Sequence, residues 1–261
     1  MDLGITGRPA LVLAAGSGLG AAIARELAAE GAIVVVAGRT AAKLDSTVAE
    51  ITAAGGTAHA LPWDLADLSV IDSRVAEIEE RFGPIDILVN NTGGPPPGGV
   101  LGRDLSLWEE QFRSMVLSVI AITDRVVPGM RERGWGRVVT STSSGVIAPI
   151  PGLGLSNALR STLIGWSKTL ATEVAPDGVT ANVVVPGRVA TDRTAFLDES
   201  KAQRQDRPVE DVTAESIGTI PAGRYGDPRE YGQVVTFLAS APAAYVTGSV
   251  VRVDGGQIPA V

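Results

Sequence analysis

Cysteine is absent from the 261 residues, and histidine occurs once. The first absence excludes disulfides, thiolate catalysis and cysteine-ligated metals, and suits a reducing cytoplasm. The second leaves a serine–histidine–acid hydrolase or a multi-histidine metal centre to be built on His59 alone. That residue stands in the apolar stretch TAHALPWD, far in sequence from any candidate serine, where a strand histidine satisfied by its neighbours is expected. Aromatic residues are scarce at 4%. No run of 18 apolar residues occurs and no charged-then-apolar leader precedes the first apolar segment, so neither a membrane span nor a signal is expected. Lysine and arginine form no cluster, and the net charge is −7 with a pI near 4.9. Nucleic acid needs a basic face and is not an expected partner.

What is present is apolar sequence in short, evenly spaced runs. Hydrophobic residues make up 45% of the chain and mean hydropathy is +0.21, enough for a sizeable core. Residues 10–15 (ALVLAA) and 32–37 (AIVVVA) read as strands buried on both faces. Further strands are expected at 57–62, 85–90, 137–142, 179–185 and 249–253. Between them lie helical patterns: Leu19, Ile23 and Leu27; Leu44, Val48 and Ile51 behind Thr40 as a cap; Ile71, Val75, Ile78 and Phe82. One long helix is expected from 106 to 133, another from 153 to 174, and a last from 228 to 239. Strict alternation of strand and helix predicts right-handed crossovers and a parallel sheet covered on both faces, in one domain. Residues 193–220, rich in both charge signs, read as a broken region.

Gly16-Ser17-Gly18-Leu19-Gly20 falls between the first strand and the first helix. Glycines at that junction let backbone N–H groups and a helix N-terminus approach a pyrophosphate, so a dinucleotide is the expected ligand.

NNTG at 90–93, PGRVATD at 186–192, and GRYGDP, FLAS and YVTGSVVRVDGG in order over 223–256 then resemble the short-chain dehydrogenase/reductase family, and its 3-oxoacyl-acyl-carrier-protein reductases in particular. The resemblance covers the whole chain. It implies a doubly wound seven-stranded α/β Rossmann fold, an NAD(P) cofactor, a small carbonyl or alcohol substrate, and a homotetramer or dimer. By the same resemblance Gly16 to Gly20 would meet the pyrophosphate, Asp64 with Leu65 the adenine, Asn91 and Gly93 the adenosine side, and Pro186, Gly187, Val189 and Thr191 the nicotinamide carboxamide. Residues 193–220 correspond to the family's substrate lid. Leu13-Ala14 stands where the family has Thr-Gly, and because alanine avoids positive φ the turn is expected to be reset. At the end of the second strand, where NAD-preferring members carry an acid, this chain has Gly38-Arg39-Thr40, which favours NADP over NAD.

The family's proton relay uses an asparagine, a serine, a tyrosine and a lysine. Ser143 matches the serine, thirteen residues before Ser156, which takes the tyrosine position; Arg160 takes the lysine position and Met115 the asparagine position. A serine hydroxyl is far too weak an acid to copy a phenol, and an arginine does not deprotonate. The three tyrosines, Tyr225, Tyr231 and Tyr245, all lie in the C-terminal part. Three readings stay open: an atypical oxidoreductase with Ser143, Ser156 and Arg160 at its centre and the oxyanion held by Ser143 and Arg160; a cofactor-binding protein without redox turnover; and a lyase or isomerase using a widened pocket. The proline run Gly93-Gly94-Pro95-Pro96-Pro97-Gly98-Gly99 is expected to wall the site, and Arg188 is a candidate partner for an anionic substrate.

Overall fold

The computed structural model describes residues 1–260. Seven strands form one all-parallel sheet in the order β3-β2-β1-β4-β5-β6-β7. They are β1 (Pro9–Val12), β2 (Ile33–Gly38), β3 (Thr57–Pro62), β4 (Ile87–Asn90), β5 (Gly136–Ser141), β6 (Val179–Pro186) and β7 (Val250–Val253). Successive side chains of a strand point to opposite faces, and the core splits accordingly. Ala10, Val12, Val34, Val36, Ile87 and Val89 pack on one side against α1 (Gly18–Ala29), α2 (Ala41–Ala53) and α9 (Pro228–Leu238). Leu11, Leu13, Val35, Leu88 and Val138 pack on the other against α3 (Ile71–Phe82), α5 (Ser118–Glu132) and α6 (Gly154–Val174). Each fully buried leucine or isoleucine contributes about 1.5–3 kcal/mol, which is why near-continuous apolar strands settle between two helical layers. The fold is the single-domain α/β Rossmann architecture. The strand order reverses between β1 and β4, and there a crevice opens at the carboxyl ends of the strands.

Two expectations about elements need correction. The long helix is interrupted: α4 (Leu105–Phe112) passes into one π turn, Arg113–Leu117, before α5 begins. The turn lets Met115 and Val116 both face inward, into a cluster with Val119, Leu155, Leu159 and Leu163. The segment read as broken is two helices, α7 (Asp192–Gln205) and α8 (Val209–Gly218). Their charges are paired across the joint, Lys201 and Arg207 both with Glu215, which is why the sequence looked too polar to be regular. His59 lies half-buried in β3, outside the cleft lining, and stacks on Phe82 at 4.2 Å. Thr40 occupies the cap position of α2, but its side chain makes no capping hydrogen bond. Among the described residues no helix is long and apolar enough to cross a membrane.

Candidate active site

The glycine loop turns from β1 into α1 at the crevice. Asn91 Nδ2 donates to the carbonyls of Leu13 (3.2 Å) and Ala14 (3.4 Å), and Ala15 N donates to Ala37 O at 2.9 Å. A Cβ on Gly20 would stand 2.4 Å from Ala14 O, so only glycine lets α1 start this close to the strand. The turn is therefore held from three sides. It is not reset by the alanine: Ala14 itself takes φ +49°. A left-handed L-residue costs about 1–2 kcal/mol, which the surrounding bonds sustain. Gly18 has φ +56° and faces Thr191 across the crevice. Ser17 caps α1 in extended conformation without a side-chain bond, leaving the first N–H groups of the helix open to an anion.

These residues line a cleft of about 510 Å³ together with Leu19, the loop after β4, the end of β5, the first turns of α6 and the loop after β6. Ser143, Ser156, Arg160, Asn91, Gly93, Pro186, Gly187, Val189 and Thr191 all reach it. Ser143 Oγ accepts from Gly145 N at 3.2 Å and caps a short 3-10 turn, Ser144–Val146, so its own hydrogen is free to point elsewhere. Asn157 ties that loop to α6, exchanging hydrogen bonds with both N and O of Ile150. Ser156 is buried at the cleft wall, and its hydroxyl makes no hydrogen bond among the described residues.

Arg160 is 7% exposed, and no carboxylate lies within ion-pair distance of it among the described residues. Its Nη2 donates to the carbonyls of Thr92 and Gly93, each at 3.1 Å, and its Nη1 to Ser141 O at 3.4 Å. The guanidinium thus straps the carboxyl ends of β4 and β5 together. Burial pulls its pKa down to about 10, opposed by the Tyr231 phenol and assisted by Arg193, and it stays protonated at neutral pH.

No phenol lines the cleft. Tyr231, though remote in sequence, reaches beneath it from α9: its OH lies 2.8 Å from Ser141 Oγ. Burial pushes this phenol's pKa well up, so it is neutral and a poor acid. Tyr225 donates to Asp198 Oδ2 at 2.6 Å. Asp198 also takes Arg188 at 2.6 Å, and with 3% of its side chain exposed it neutralises that arginine. Arg188 lines the cleft but is not free for an anionic substrate. A second cation without an ion pair among the described residues is Arg193, in the first turn of α7, which the sequence offered no reason to single out.

Four expected contacts fall outside the cleft lining: Gly16, Arg39, Asp64 and Leu65. Gly16 is a packing glycine, its Cβ position 3.1 Å from Lys43 Cβ. Arg39 is exposed at the end of β2 without an ion pair among the described residues. Asp64 is exposed and accepts from Ala66 N at 3.1 Å, while Leu65 joins the core. Lys43, exposed on α2 beside the Gly16 turn, adds a cation near Arg39 that the sequence reading missed, because helical position alone does not bring it to the loop.

The model of the enoyl-(acyl carrier protein) reductase family matches residues 13–257. The chain is 35% identical to the 3-oxoacyl-[acyl-carrier-protein] reductase FabG of Escherichia coli over 253 residues, covering 96% of this chain and 97% of that one. It is 34% identical to a putative ketoacyl reductase of Streptomyces coelicolor over 95% of both chains. Among solved structures, an actinorhodin polyketide ketoreductase variant with NADPH superposes with a TM-score of 0.93 at 33% identity, over 97% of this chain and 98% of that one. The L-sorbose reductase of Gluconobacter frateurii, complexed with NADPH and L-sorbose, gives 0.93 at 28% identity over the whole of both chains. With the sheet order, the glycine turn and the crevice at the strand ends, these matches identify the chain as a member of the short-chain dehydrogenase/reductase family.

Proposed function

We propose that this chain is an NADP(H)-dependent carbonyl reductase that works without the family's tyrosine and lysine. The observation that carries the reading is the meeting of Ser143, Ser156 and Arg160 with the glycine loop and the segment after β6 in one cleft. The residues present fit a dinucleotide. Gly18 and the open helix N-terminus suit a pyrophosphate, space lies over Gly93, and the buried hydroxyl of Thr92 has no partner among the described residues. Arg39 and Lys43, two exposed cations without acidic neighbours in contact, favour a 2′-phosphate.

When bound, reduced nicotinamide supplies a hydride. The chain's own part begins with Ser143, whose hydroxyl hydrogen is directed away from Gly145 and donates to the substrate carbonyl oxygen. Negative charge gathers on that oxygen as the carbon is reduced. Arg160 stabilises it by field: its forks already serve Thr92, Gly93 and Ser141, so it holds the oxyanion through a permanent charge in a partly dry site and not by direct grip. Ser156 supplies a hydroxyl and, by lacking a ring, room for a water that delivers the proton. Residues 193–220, α7 and α8, act as a lid on this single domain. Exposed Phe112, Leu117, Phe237 and Val250 offer apolar surface that further copies of the chain would cover, in keeping with a homo-oligomer.

Fluorescence titration tests the first step: NADPH is expected to bind more tightly than NADH, and Arg39→Asp to reverse the order. A panel of ketones and aldehydes should then consume NADPH. Tight NADPH binding without consumption across the panel favours a second reading, a cofactor-binding protein without turnover, which the absence of a phenol from the cleft supports.

A further inference from the structure

The loop after β4 is gripped by two guanidiniums from opposite walls. Arg160 of α6 takes the carbonyls of Thr92 and Gly93. Arg193, from the first turn of α7, donates through Nη2 to Pro95 O at 2.9 Å. Its guanidinium lies against Gly94, where a Cβ would stand 3.1 Å from Nη2 and 3.3 Å from Cζ, so a side chain there would push the arginine aside. Phe196 backs it, with the ring centre 5.5 Å from Cζ. Neither arginine has a carboxylate partner within 4 Å among the described residues, whereas Arg188 nearby is neutralised by Asp198. The two charges sense one another, Arg193 adding to the burial that weakens Arg160 as a base, and burial lowers the pKa of Arg193 as well. Asp192, the one acid lining the cleft among the described residues, is exposed and makes no ion pair with them. Between the arginines Gly93 presents open space: nothing lies within 4 Å of its Cβ position. A buried and a half-buried cation beside open space bind an anion strongly, because both are partly stripped of water.

We infer that Arg193 is an anion-binding arm of the cleft that receives an anionic oxygen group, carboxylate or phosphate, over Gly93, with Arg160 adding its charge from behind the loop. The inference rests on the same cleft as the reductase reading but not on its chemistry. Two ligands carry such a group, a substrate with a carboxylate near its carbonyl and the cofactor through its pyrophosphate.

Oxamate and inorganic pyrophosphate, titrated calorimetrically into the full chain with and without NADPH, separate the two. A substrate carboxylate predicts that oxamate binds the NADPH complex and neutral oxamide does not. Arg193→Gln then weakens oxamate about tenfold and Arg193→Lys restores part of the loss. A cofactor phosphate predicts that pyrophosphate competes with NADPH. Arg193→Gln then weakens NADPH about tenfold but changes affinity for 2′,5′-ADP, which lacks the pyrophosphate, less than about twofold. Either pattern, with an unchanged melting temperature, supports the arm. Native-like affinity of Arg193→Gln for NADPH and both probes overturns it. No NADPH binding by the native chain, with probe binding still dependent on Arg193, overturns the reductase reading and keeps the anion site.

Discussion

The two ends of the sheet treat a buried arginine in opposite ways. At the amino ends of the strands, Arg137 is 2% exposed; its Nε donates to Ser240 O at 2.9 Å and its Nη1 to Gly136 O at 2.8 Å. It lies over the Trp135 ring, whose same ring carries Arg8, and Arg8 and Arg133 both pair with Asp86. At the carboxyl ends, Arg160 and Arg193 likewise rest on backbone carbonyls with no acid in contact among the described residues, but a cleft of about 510 Å³ lies beside them. Burial pulls Arg137 and Arg160 down alike, each to about 10. A perturbed base therefore does not mark a site by itself. The mark is space: one end of the sheet is filled, the other is open and its charge waits for a ligand.

The largest effect expected from breaking this contrast is at Arg137. Arg137→Met strips donors from buried carbonyls and should cost about 3 kcal/mol, seen as a melting temperature lower by roughly 6–12 °C, with NADPH affinity unchanged. A change of NADPH affinity there would erase the distinction between the ends. Arg160→Met should lower turnover on an active carbonyl substrate about 100-fold while costing only about 1–2 kcal/mol of stability, since water can replace its donors from the cleft. Equal losses in turnover and in NADPH affinity would make it a binding residue alone.

Ala14→Gly removes the left-handed strain and should raise stability by about 1 kcal/mol, read by denaturant titration, and tighten NADPH. A drop in stability would mean that the alanine methyl contributes packing worth more than the strain. The smallest effect is at a compensated cation beside the open end. Glu230, in the capping box that starts α9 with Asp227, pairs with Arg224, which holds its carboxyl down at about 2. With the folded value depressed, the stabilisation is complete above the ordinary carboxylate range and is lost as pH falls towards 2. The small melting difference between the native chain and Glu230→Gln should therefore be present at pH 6, shrink below about pH 4.5, and narrow in high salt.

Much of the frame was legible in residue order. Near-continuous apolar runs such as IVVVAG in β2 favour burial on both faces, and alternation with amphipathic helices favours a parallel doubly wound sheet, so β1 to β7 fell within a few residues of expectation. The π turn at Met115 was not legible, because a run of helix formers carries no sign of one extra residue in a turn. Nor were α7 and α8, whose apolar stripe is thin and whose order depends on pairs such as Lys201–Glu215 that bridge the two helices.

At the site, the family resemblance carried the proposal that Ser156 and Arg160 stand beside Ser143 where a phenol-based relay is expected, and the glycine pattern gave the dinucleotide loop before them. Tertiary structure alone decided what those side chains have left to give. Arg160 spends its donors on Thr92, Gly93 and Ser141, Arg188 is cancelled by Asp198 ten residues on, and Tyr231 comes within 2.8 Å of Ser141 from ninety residues away. The physical reason is that a charge or hydroxyl is listed by sequence, whereas its freedom depends on which neighbours satisfy it in space. That is also why Arg193, unremarkable in the chain, emerges beside Arg160 as a second cleft cation with no carboxylate to meet it among the described residues.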